Sequence, residues 1–340
     1  MNRLLQIFAK RPVLITVLVC FIMYLVTGLT SDRPSAFFNG YTFVNLFQNN
    51  AALGIVAVGM TLVILTGGGG IDLSVSSVMG WTALIAAFLI SSPGGDRASF
   101  FHNWNPYAAM FTVVAIATLG GALVGTMVHH LEIPPFLITL AFLFLYRGLA
   151  LVVTTQEVGA ANNPQIVGLA DWAINIPGID RFPVAVRIQT ILLLAAVAIG
   201  SWLGRYTGFG RSLYAIGGSE TSALLMGLPV ARSKVIVYAL SGFCASLGGL
   251  MFLIKDRGGA ALKTRGAELD AIAITVIGGT LLTGGIGGIP GTLIGVLTYT
   301  IISAFMSRHS FPTGVDRMVI GALLLSFILL QKLLQYRRRA

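Results

Sequence analysis

The stretch that decides the fold is residues 65–80, LTGGGGIDLSVSSVMG, which places four consecutive glycines and one carboxylate between two apolar runs. A glycine inside a helix costs about 1 kcal/mol relative to alanine, so residues 67–70 predict a break in helical structure. Within a membrane, backbone outside helices is tolerated only where protein or a water-filled cavity satisfies its polar groups. An ionisable residue such as Asp72 beside such a break indicates a transport path or a helix end that faces water. The stretch therefore predicts a carrier, a channel or a permease subunit.

The composition is that of a membrane protein. The 340 residues are 56% hydrophobic and 10% charged, with a mean hydropathy of +0.86. Soluble domains carry about 25% charged residues, so we predict an all-α polytopic membrane protein and do not expect a soluble enzyme. The net charge of +10 would suggest nucleic acid as the partner of a soluble protein. Here Lys and Arg flanking membrane spans account for it, so the expected contact is membrane lipid and no nucleic-acid partner is expected.

Ten segments are apolar over roughly the 20 residues that a spanning helix needs. We predict a single transmembrane domain over residues 1–340, with about ten transmembrane helices near 12–29, 43–65, 73–90, 106–128, 134–155, 183–204, 235–254, 269–283, 289–307 and 318–334. The segment at 269–283 is short and contains Gly278 and Gly279, so a broken or partly inserted helix also fits it. Basic residues precede the first segment but no A-x-A cleavage site follows, so it is expected to be an uncleaved anchor.

The orientation is predicted from the basic residues. Lys and Arg divide almost evenly between the two sides, but their clusters at both ends of the chain favour cytoplasmic N- and C-termini. Two longer polar loops, at 91–105 and 156–182, then lie outside. The second contains turn signals such as Asn162-Asn163-Pro164 and is large enough to contact a partner.

The loop at 205–234, RYTGFGRSLYAIGGSETSALLMGLPVARSK, is predicted to face the cytoplasm and to contain a short helix over 221–226. Ser219 is a good N-cap and Glu220 suits the positive end of the helix. Gly227 suits the C′ position at the other end. Because so short a helix is not stable alone, it is expected to dock on another surface. It either lies on lipid as an interfacial helix or transmits motion from a cytoplasmic partner.

Four stretches of the chain resemble the permease subunits of bacterial ABC sugar importers of the ribose and galactofuranose class. They are 54–80 (GIVAVGMTLVILTGGGGIDLSVSSVMG), 133–148 (IPPFLITLAFLFLYRG), 215–228 (AIGGSETSALLMGL) and 268–285 (ELDAIAITVIGGTLLTGG). With their order and spacing they cover roughly residues 53–330, and the detail looks closest to the permease of the galactofuranose importer. The chain departs from the family pattern by an extra pair of glycines within 67–70.

The resemblance implies ten spans, cytoplasmic termini and a multi-pass protein of the bacterial inner membrane that moves a monosaccharide such as ribose or galactofuranose. It implies two permease subunits, alike or different, that form one path, with a two-copy or internally duplicated ABC ATPase below and a periplasmic sugar-binding protein above. In this family the 215–228 loop would form the coupling helix that sits in a groove of the ATPase. The residues expected to make that contact are Ser219, Glu220, Ala223, Met226 and Gly227.

The chain lacks the parts needed for energy conversion of its own. It has no G-x-x-x-x-G-K-[ST] phosphate loop, and none of its five lysines follows a glycine. ATP hydrolysis, with ATP and Mg²⁺ as its cofactors, is therefore expected on another polypeptide, and none in this chain. No Ser/His/Asp set, H-E-x-x-H motif or paired metal ligands are visible in the sequence, so we expect a non-catalytic permease with no metal site.

Polar residues in or near the spans are candidates for a translocation path or gate. Asp72 either caps the helix that starts at 73 or acts at the inner end of the path. Arg147 lies within an apolar span, where charge is costly unless it is paired or faces water. It either pairs with an acid such as Glu157 or Glu268, or contacts passing sugar.

Two further sets of candidates lie near the outer ends of the predicted helices. Glu268 and Asp270 suit the dipole at a helix start, or line the path as acceptors for hydroxyl groups. A polar helix face with the i, i+3 and i+4 spacing offers weak contacts to sugar; its members are Asn45, Gln48, Asn49 and Asn50.

An ion- or proton-coupled secondary transporter is the alternative function. The glycine breaks at 67–70 and 284–288 resemble the paired interrupted segments of such carriers. Few acids lie where they could carry protons at mid-membrane, which argues against it.

Overall fold

The computed structural model describes residues 13–31, 37–91, 102–176, 184–312 and 314–339. The basic residues predicted at the N-terminus, the start of the first predicted span at 12 and the tips of the two outer loops at 92–101 and 177–183 lie outside these ranges. The helices are α1 (Val13–Leu29), α2 (Gly40–Asn49), α3 (Ala51–Leu65), α4 (Val75–Ile90), α5 (Pro106–His130), α6 (Pro135–Val153), α7 (Pro164–Asp171), α8 (Ile188–Tyr206), α9 (Gly208–Gly218), α10 (Glu220–Leu225), α11 (Val230–Asp256), α12 (Ala267–Ile277), α13 (Ile289–Arg308) and α14 (Val315–Arg339).

Within the described residues, five helices are long and apolar enough to cross a membrane, or six if the bent pair α2 and α3 is one span. The five are α5, α6, α8, α11 and α13. Shorter apolar helices occupy three of the other predicted spans, at Thr16–Leu29, Val75–Ile90 and Arg317–Leu329. The chain is thus a polytopic helical membrane protein.

The predicted span at 43–65 consists of two helices. α2 and α3 meet at Asn50 with a bend of 58°. The Gly54 amide donates to the Asn50 carbonyl oxygen at 2.8 Å, so α3 starts its own ladder of hydrogen bonds. Lys255 Nζ donates to the Asn49 carbonyl oxygen at 3.0 Å and supplies a partner to a backbone acceptor at the bend. The chain therefore changes direction inside this predicted span.

The centre of the protein is formed by α3, α4 and α11, and nearly every side chain of α3 and α4 is buried. Glycines let α11 approach its neighbours closely. A Cβ at Gly249 would lie 2.4 Å from the Met79 carbonyl oxygen, and one at Gly242 would lie 2.5 Å from the Ala117 carbonyl oxygen. Close approach at small residues is the usual way in which helices pack in lipid.

The predicted span at 269–283 is a half-helix. α12 has 11 residues, a length of about 16 Å, which is too short for a hydrocarbon core of about 30 Å. It ends at Ile277 with Gly278 as its C-cap, and Gly279 has a φ of 90°, so the backbone leaves the helix there. Residues 278–288 then form a loop that leads into α13. The glycine pair therefore breaks the span, as its sequence allowed.

Buried hydroxyl groups hold the half-helix in place. Thr61 Oγ1 of α3 lies 2.6 Å from Thr292 Oγ1 of α13 and 3.3 Å from Thr275 Oγ1 of α12. Thr16 of α1 donates to the carbonyl oxygen of Ile277, the last residue of α12. Interhelical hydrogen bonds of this kind join helices in a dry interior. The half-helix is thus hydrogen-bonded to α3 and α1, and α3 is in turn bonded to α13.

The two ends of the bundle differ. α11 starts beside α10 and, with 27 residues, reaches about 40 Å to the strands; we call these the α10 end and the opposite end. At the opposite end the strands β1 (Val158–Gly159) and β4 (Gly258–Gly259) pair antiparallel. The strands β2 (Ala173–Ile176) and β3 (Val184–Arg187) form the second antiparallel pair.

Ion pairs secure the loops at the opposite end. Lys263 Nζ lies 2.7 Å from Glu157 Oε1, and Arg257 Nη2 lies 2.7 Å from Asp171 Oδ1. The hydrogen bond with Glu157 raises the pKa of the Lys263 ammonium, so this group stays charged. The turn signal near 162–164 proves to be a helix start, because Asn163 Oδ1 accepts the Gln165 amide at 3.0 Å.

Candidate functional site

α10 is a short helix with both ends capped, as the sequence predicts. Ser219 Oγ accepts the Ser222 amide at 3.2 Å. Gly227 has a φ of 74°, and the Leu228 amide donates to the Ala223 carbonyl oxygen at 3.0 Å. This is the hydrogen bond that a glycine at C′ permits at the end of a helix. The helix covers Glu220–Leu225, one residue earlier than predicted at each end.

α10 docks on the protein through one small side chain and one ion pair. Ala223 is fully buried in a small apolar cluster with Ile216 and Val230. Glu220 Oε1 lies 2.5 Å from Lys234 Nζ of α11. These contacts supply the stability that a helix of six residues lacks by itself.

The other side of α10 is apolar and exposed. The side chains of Leu224, Leu225 and Met226 are 62%, 84% and 67% exposed; we call these three residues the α10 patch. Met226 is one of the predicted coupling residues, whereas Leu224 and Leu225 were not among them. A helix of six residues with one buried side chain, Ala223, has no apolar stripe from which its outward face could be predicted.

The N-cap of α10 gives a direct test of how the helix is held. Ser219→Ala removes the acceptor of the Ser222 amide and should cost about 1 kcal/mol of local stability. We expect faster amide hydrogen exchange across α10 than in the parent protein. Ser219→Asn, which keeps a capping oxygen, should leave the exchange near the parent rate; equal exchange in the alanine variant would contradict the cap.

Asp72 joins the glycine break to α11. Its Oδ1 accepts from the Ser74 amide at 3.0 Å and from Ser74 Oγ at 2.6 Å, and its Oδ2 accepts from Ser241 Oγ at 2.7 Å. The predicted helix start at 73 is wrong, because α4 begins at Val75 with Ser74 in the N-cap position. Asp72 therefore holds the turn before the helix and ties it to α11.

Asp72 also lies deeper in the bundle than a surface turn. Ser241, its partner, is eleven residues beyond Val230, the first residue of α11, which is about 16 Å along the helix. The carboxyl group is almost completely buried. The glycines at 67–70 and Asp72 thus form a turn that runs back into the protein.

Arg147 has neither of its predicted acidic partners. Glu157 Oε1 accepts from Lys263, and Glu268 Oε2 accepts from the Gly266 amide at 3.1 Å. Arg147 Nε is buried and lacks a hydrogen-bond partner among the described residues. The two acids were plausible because charge in a span seeks a partner, but local groups at the opposite end already occupy both.

Glu268 satisfies the start of α12, which agrees with the helix-dipole interpretation. Asp270 lies two residues further along α12 and lines a cavity of about 340 Å³ at the opposite end. The same cavity is lined by Asn49 at the α2–α3 bend. The half-helix thus brings one predicted path residue next to another that is more than 200 positions away in the chain.

A second cavity, of about 420 Å³, contains the predicted asparagines Asn45 and Asn49. The remaining wall comes from α13, on which Thr300, Ser303 and Ser307 face the cavity. Asn49 and the adjacent Asn50 line both cavities, so the two are neighbours on either side of the α2–α3 bend. Amide and hydroxyl groups can donate and accept hydrogen bonds, which suits a ligand rich in hydroxyl groups.

Sequence reasoning missed the α13 side of these cavities. The spacing of Thr300, Ser303 and Ser307 by three and four residues, which places them on one face of the helix, was the available signal. It also missed the basic residues of the first cavity, which include Lys255, Lys263, Arg265 and Arg317. Within the described ranges, no group of three His, Cys, Asp or Glu side chains could hold a metal ion.

Comparison with known proteins identifies a family and several relatives of this chain. Residues 42–328 match the family described as branched-chain amino acid transport system / permease component. The chain is 40% identical over 289 residues to the inner membrane ABC transporter permease protein YjfF of Escherichia coli K12, covering 85% of this chain and 82% of that protein. It is 36% identical to the fructose import permease protein FruG of Bifidobacterium longum, over 85% and 82% of the two chains. It is 34% identical to the ribose import permease protein RbsC of Escherichia coli K12, over 88% and 87%.

Proposed function

Since this chain belongs to the family of branched-chain amino acid transport system permease components, we propose that it is the membrane subunit of an ABC importer for a monosaccharide. Relatives that import ribose and fructose support a sugar of this size, such as ribose, galactofuranose or a similar one. The observation that carries the proposal is α10, a capped and docked helix that presents the apolar α10 patch. The comparisons give no support to the ion-coupled alternative.

In this proposal the chain is one domain, residues 1–340, that crosses the bacterial inner membrane ten times. The half-helix α12 and the loop that follows it provide one of the ten crossings. The α10 end and both termini face the cytoplasm, and the opposite end faces the periplasm. The start of α1 supports this arrangement, because Val13 lies beside Gly279 and Gly291, at the break that ends α12 and in the first turn of α13.

The proposed partners bind at the two ends. The ABC ATPase receives the α10 patch together with Ser219, Glu220 and Gly227, and it alone binds ATP and Mg²⁺; this chain catalyses no reaction and takes no cofactor. A periplasmic sugar-binding protein delivers sugar to the opposite end. A second permease subunit, identical or different, completes the path.

Sugar would enter through the two neighbouring cavities, where Asn45, Asn49 and Asp270 offer hydrogen bonds. Glu268 would act by holding the start of α12, and Asp72 by holding the turn before α4. Arg147 would bring a positive charge to the path or to the second subunit. A permease that is fed by a binding protein gains nothing from tight binding, and a few amide, hydroxyl and carboxylate groups on these walls suit brief contacts.

Uptake into proteoliposomes tests this function. We expect the permease with its ATPase, second permease and binding protein to accumulate labelled sugar only with ATP, at an unchanged rate after an uncoupler abolishes ion gradients. Vesicles without the ATPase serve as the control. Uptake by this chain alone that an uncoupler abolishes would contradict the proposal and favour an ion-coupled carrier.

A further inference from the structure

Three separate segments meet at the α10 end through their glycines. They are the last turn of α9, the turn after α3, and the loop between α12 and α13. We call Gly67, Gly217, Gly284 and Gly285 the glycine junction. The Gly285 amide donates to the Leu65 carbonyl oxygen at 3.0 Å, which joins the turn and the loop directly.

The junction is backbone against backbone. A Cβ at Gly217 would lie 2.0 Å from the Leu65 carbonyl oxygen and 2.4 Å from the Gly285 amide nitrogen, and one at Gly284 would lie 2.3 Å from the Gly67 Cα. Real Cβ atoms do not approach other atoms so closely. Since packed interiors are nearly incompressible, a shift of one segment must displace the others.

The backbone conformation favours glycine at the other three positions of the junction, but not at Gly217. Gly67, Gly284 and Gly285 have φ values of 68°, 86° and 72°, so their backbone conformation already favours glycine. Gly217 lies within α9 and has no such φ. It is therefore required by the close approach alone, and a substitution there probes the contact rather than the turn.

Each segment leads to a part of the transporter. Gly217 lies two residues before Ser219, the N-cap of α10. Gly67 begins the turn that Asp72 ties to α11. Gly285 lies in the loop whose flanking helices, α12 and α13, line the cavities at the opposite end. A hydrogen bond of 3.1 Å from the Tyr214 hydroxyl to the Gly287 carbonyl oxygen adds a second link between α9 and this loop.

We infer that the glycine junction passes the displacement of α10 to the Asp72 turn and to the half-helix, and that Gly217 is a positioning residue for coupling. The inference rests on the proposed function, in which the ATPase moves α10. A side chain at Gly217 would separate α9 from its two neighbours. ATP hydrolysis would then continue without moving the segments that line the path.

The test is Gly217→Ala in the complete importer, with Gly218→Ala as its matched control. Gly217 and Gly218 are the last two residues of α9, so alanine should change the helix propensity similarly at both positions. A Cβ at Gly218, however, meets nothing within 4 Å. The readout is the amount of sugar imported per ATP hydrolysed. We expect Gly217→Ala to lower this ratio about tenfold, within the usual range of coupling between sites. Gly218→Ala should keep the parent ratio.

Assembly separates this inference from the proposed function. Gly217→Ala should still copurify with the ATPase, since the α10 patch is unchanged. A parent-like ratio in the assembled Gly217→Ala complex would overturn the inference and leave the docking of the ATPase untouched. Substitutions in the α10 patch that abolish copurification with the ATPase test the docking surface of the proposed function and leave the role of the glycine junction unaffected.

If Gly217→Ala does not assemble with the ATPase, a milder variant tests whether the glycine junction couples α10 to the path. Tyr214→Phe removes only the hydroxyl that binds Gly287 and should lower the ratio of sugar to ATP by a smaller factor than Gly217→Ala. Tyr206→Phe, at an exposed tyrosine at the end of α8, is the control. An unchanged ratio in the Tyr214→Phe importer would overturn the inference.

Discussion

Leu225→Glu is expected to abolish copurification of the permease with its ATPase. Leu225 is 84% exposed and lies at the centre of the α10 patch, beside Leu224 and Met226. A carboxylate there would have to be buried without a partner when a protein groove closes over it, and leaving a buried charge unpaired costs several kcal/mol. The measurement is affinity capture of the ATPase with a tagged permease from detergent-solubilised membranes.

The control for this variant is the same substitution at the opposite end. Leu262→Glu changes another exposed leucine, one that lies in the loop after β4. It should leave capture of the ATPase unchanged. If Leu225→Glu still captures the ATPase at the parent level, α10 is not the docking element.

Asp72→Ala is expected to lower the thermal stability of the purified permease strongly. The substitution leaves the Ser74 amide and the Ser241 hydroxyl without their acceptor in a buried site. A buried donor left unsatisfied costs about 1–3 kcal/mol. The unfolding temperature in detergent is the measurement, and a variant that unfolds at the parent temperature would show that the carboxylate does not hold the turn.

Asp171, an aspartate at the surface, is the control that distinguishes the loss of a buried hydrogen-bond acceptor from the loss of a negative charge. Asp171→Ala breaks only the exposed ion pair with Arg257, and pairs of that kind contribute about 0–1 kcal/mol. We expect it to unfold close to the parent temperature. Asp72→Asn, which keeps one acceptor, should fall between the parent and the alanine variant.

Features fixed by local chemistry could be predicted from the sequence. The caps of α10 depend on Ser219 and Gly227 themselves, and the breaks at 67–70 and 278–279 depend on glycine conformation. Their positions along the chain therefore agree with the structure within one or two residues. The same holds for Asn45 and Asn49, whose helical spacing places them on one wall of a cavity.

Features fixed by contacts between distant segments could not be predicted. Arg147 lacks the partners proposed for it because Glu157 and Glu268 meet closer donors at the opposite end. The sequence around Asp72 does not show that its carboxylate joins the turn before α4 to α11. That role depends on a hydrogen bond from Ser241, which lies 169 positions later in the chain. The spacing of the α13 hydroxyls shows that they share a helix face, but only the folded structure shows that this face and Asn45 and Asn49 line the same cavity.

The cavity walls lie at the start of the half-helix α12 and the glycine junction lies beyond its end, so the length of the helix, about 16 Å, separates them. Side chains form the cavity walls at its start, whereas bare backbone forms the contacts beyond its end. Substitutions further apart than about 7–10 Å that share no partners usually have additive effects. In the proposed importer, residues of the cavity walls can therefore be exchanged while the backbone contacts beyond the end of α12 stay unchanged.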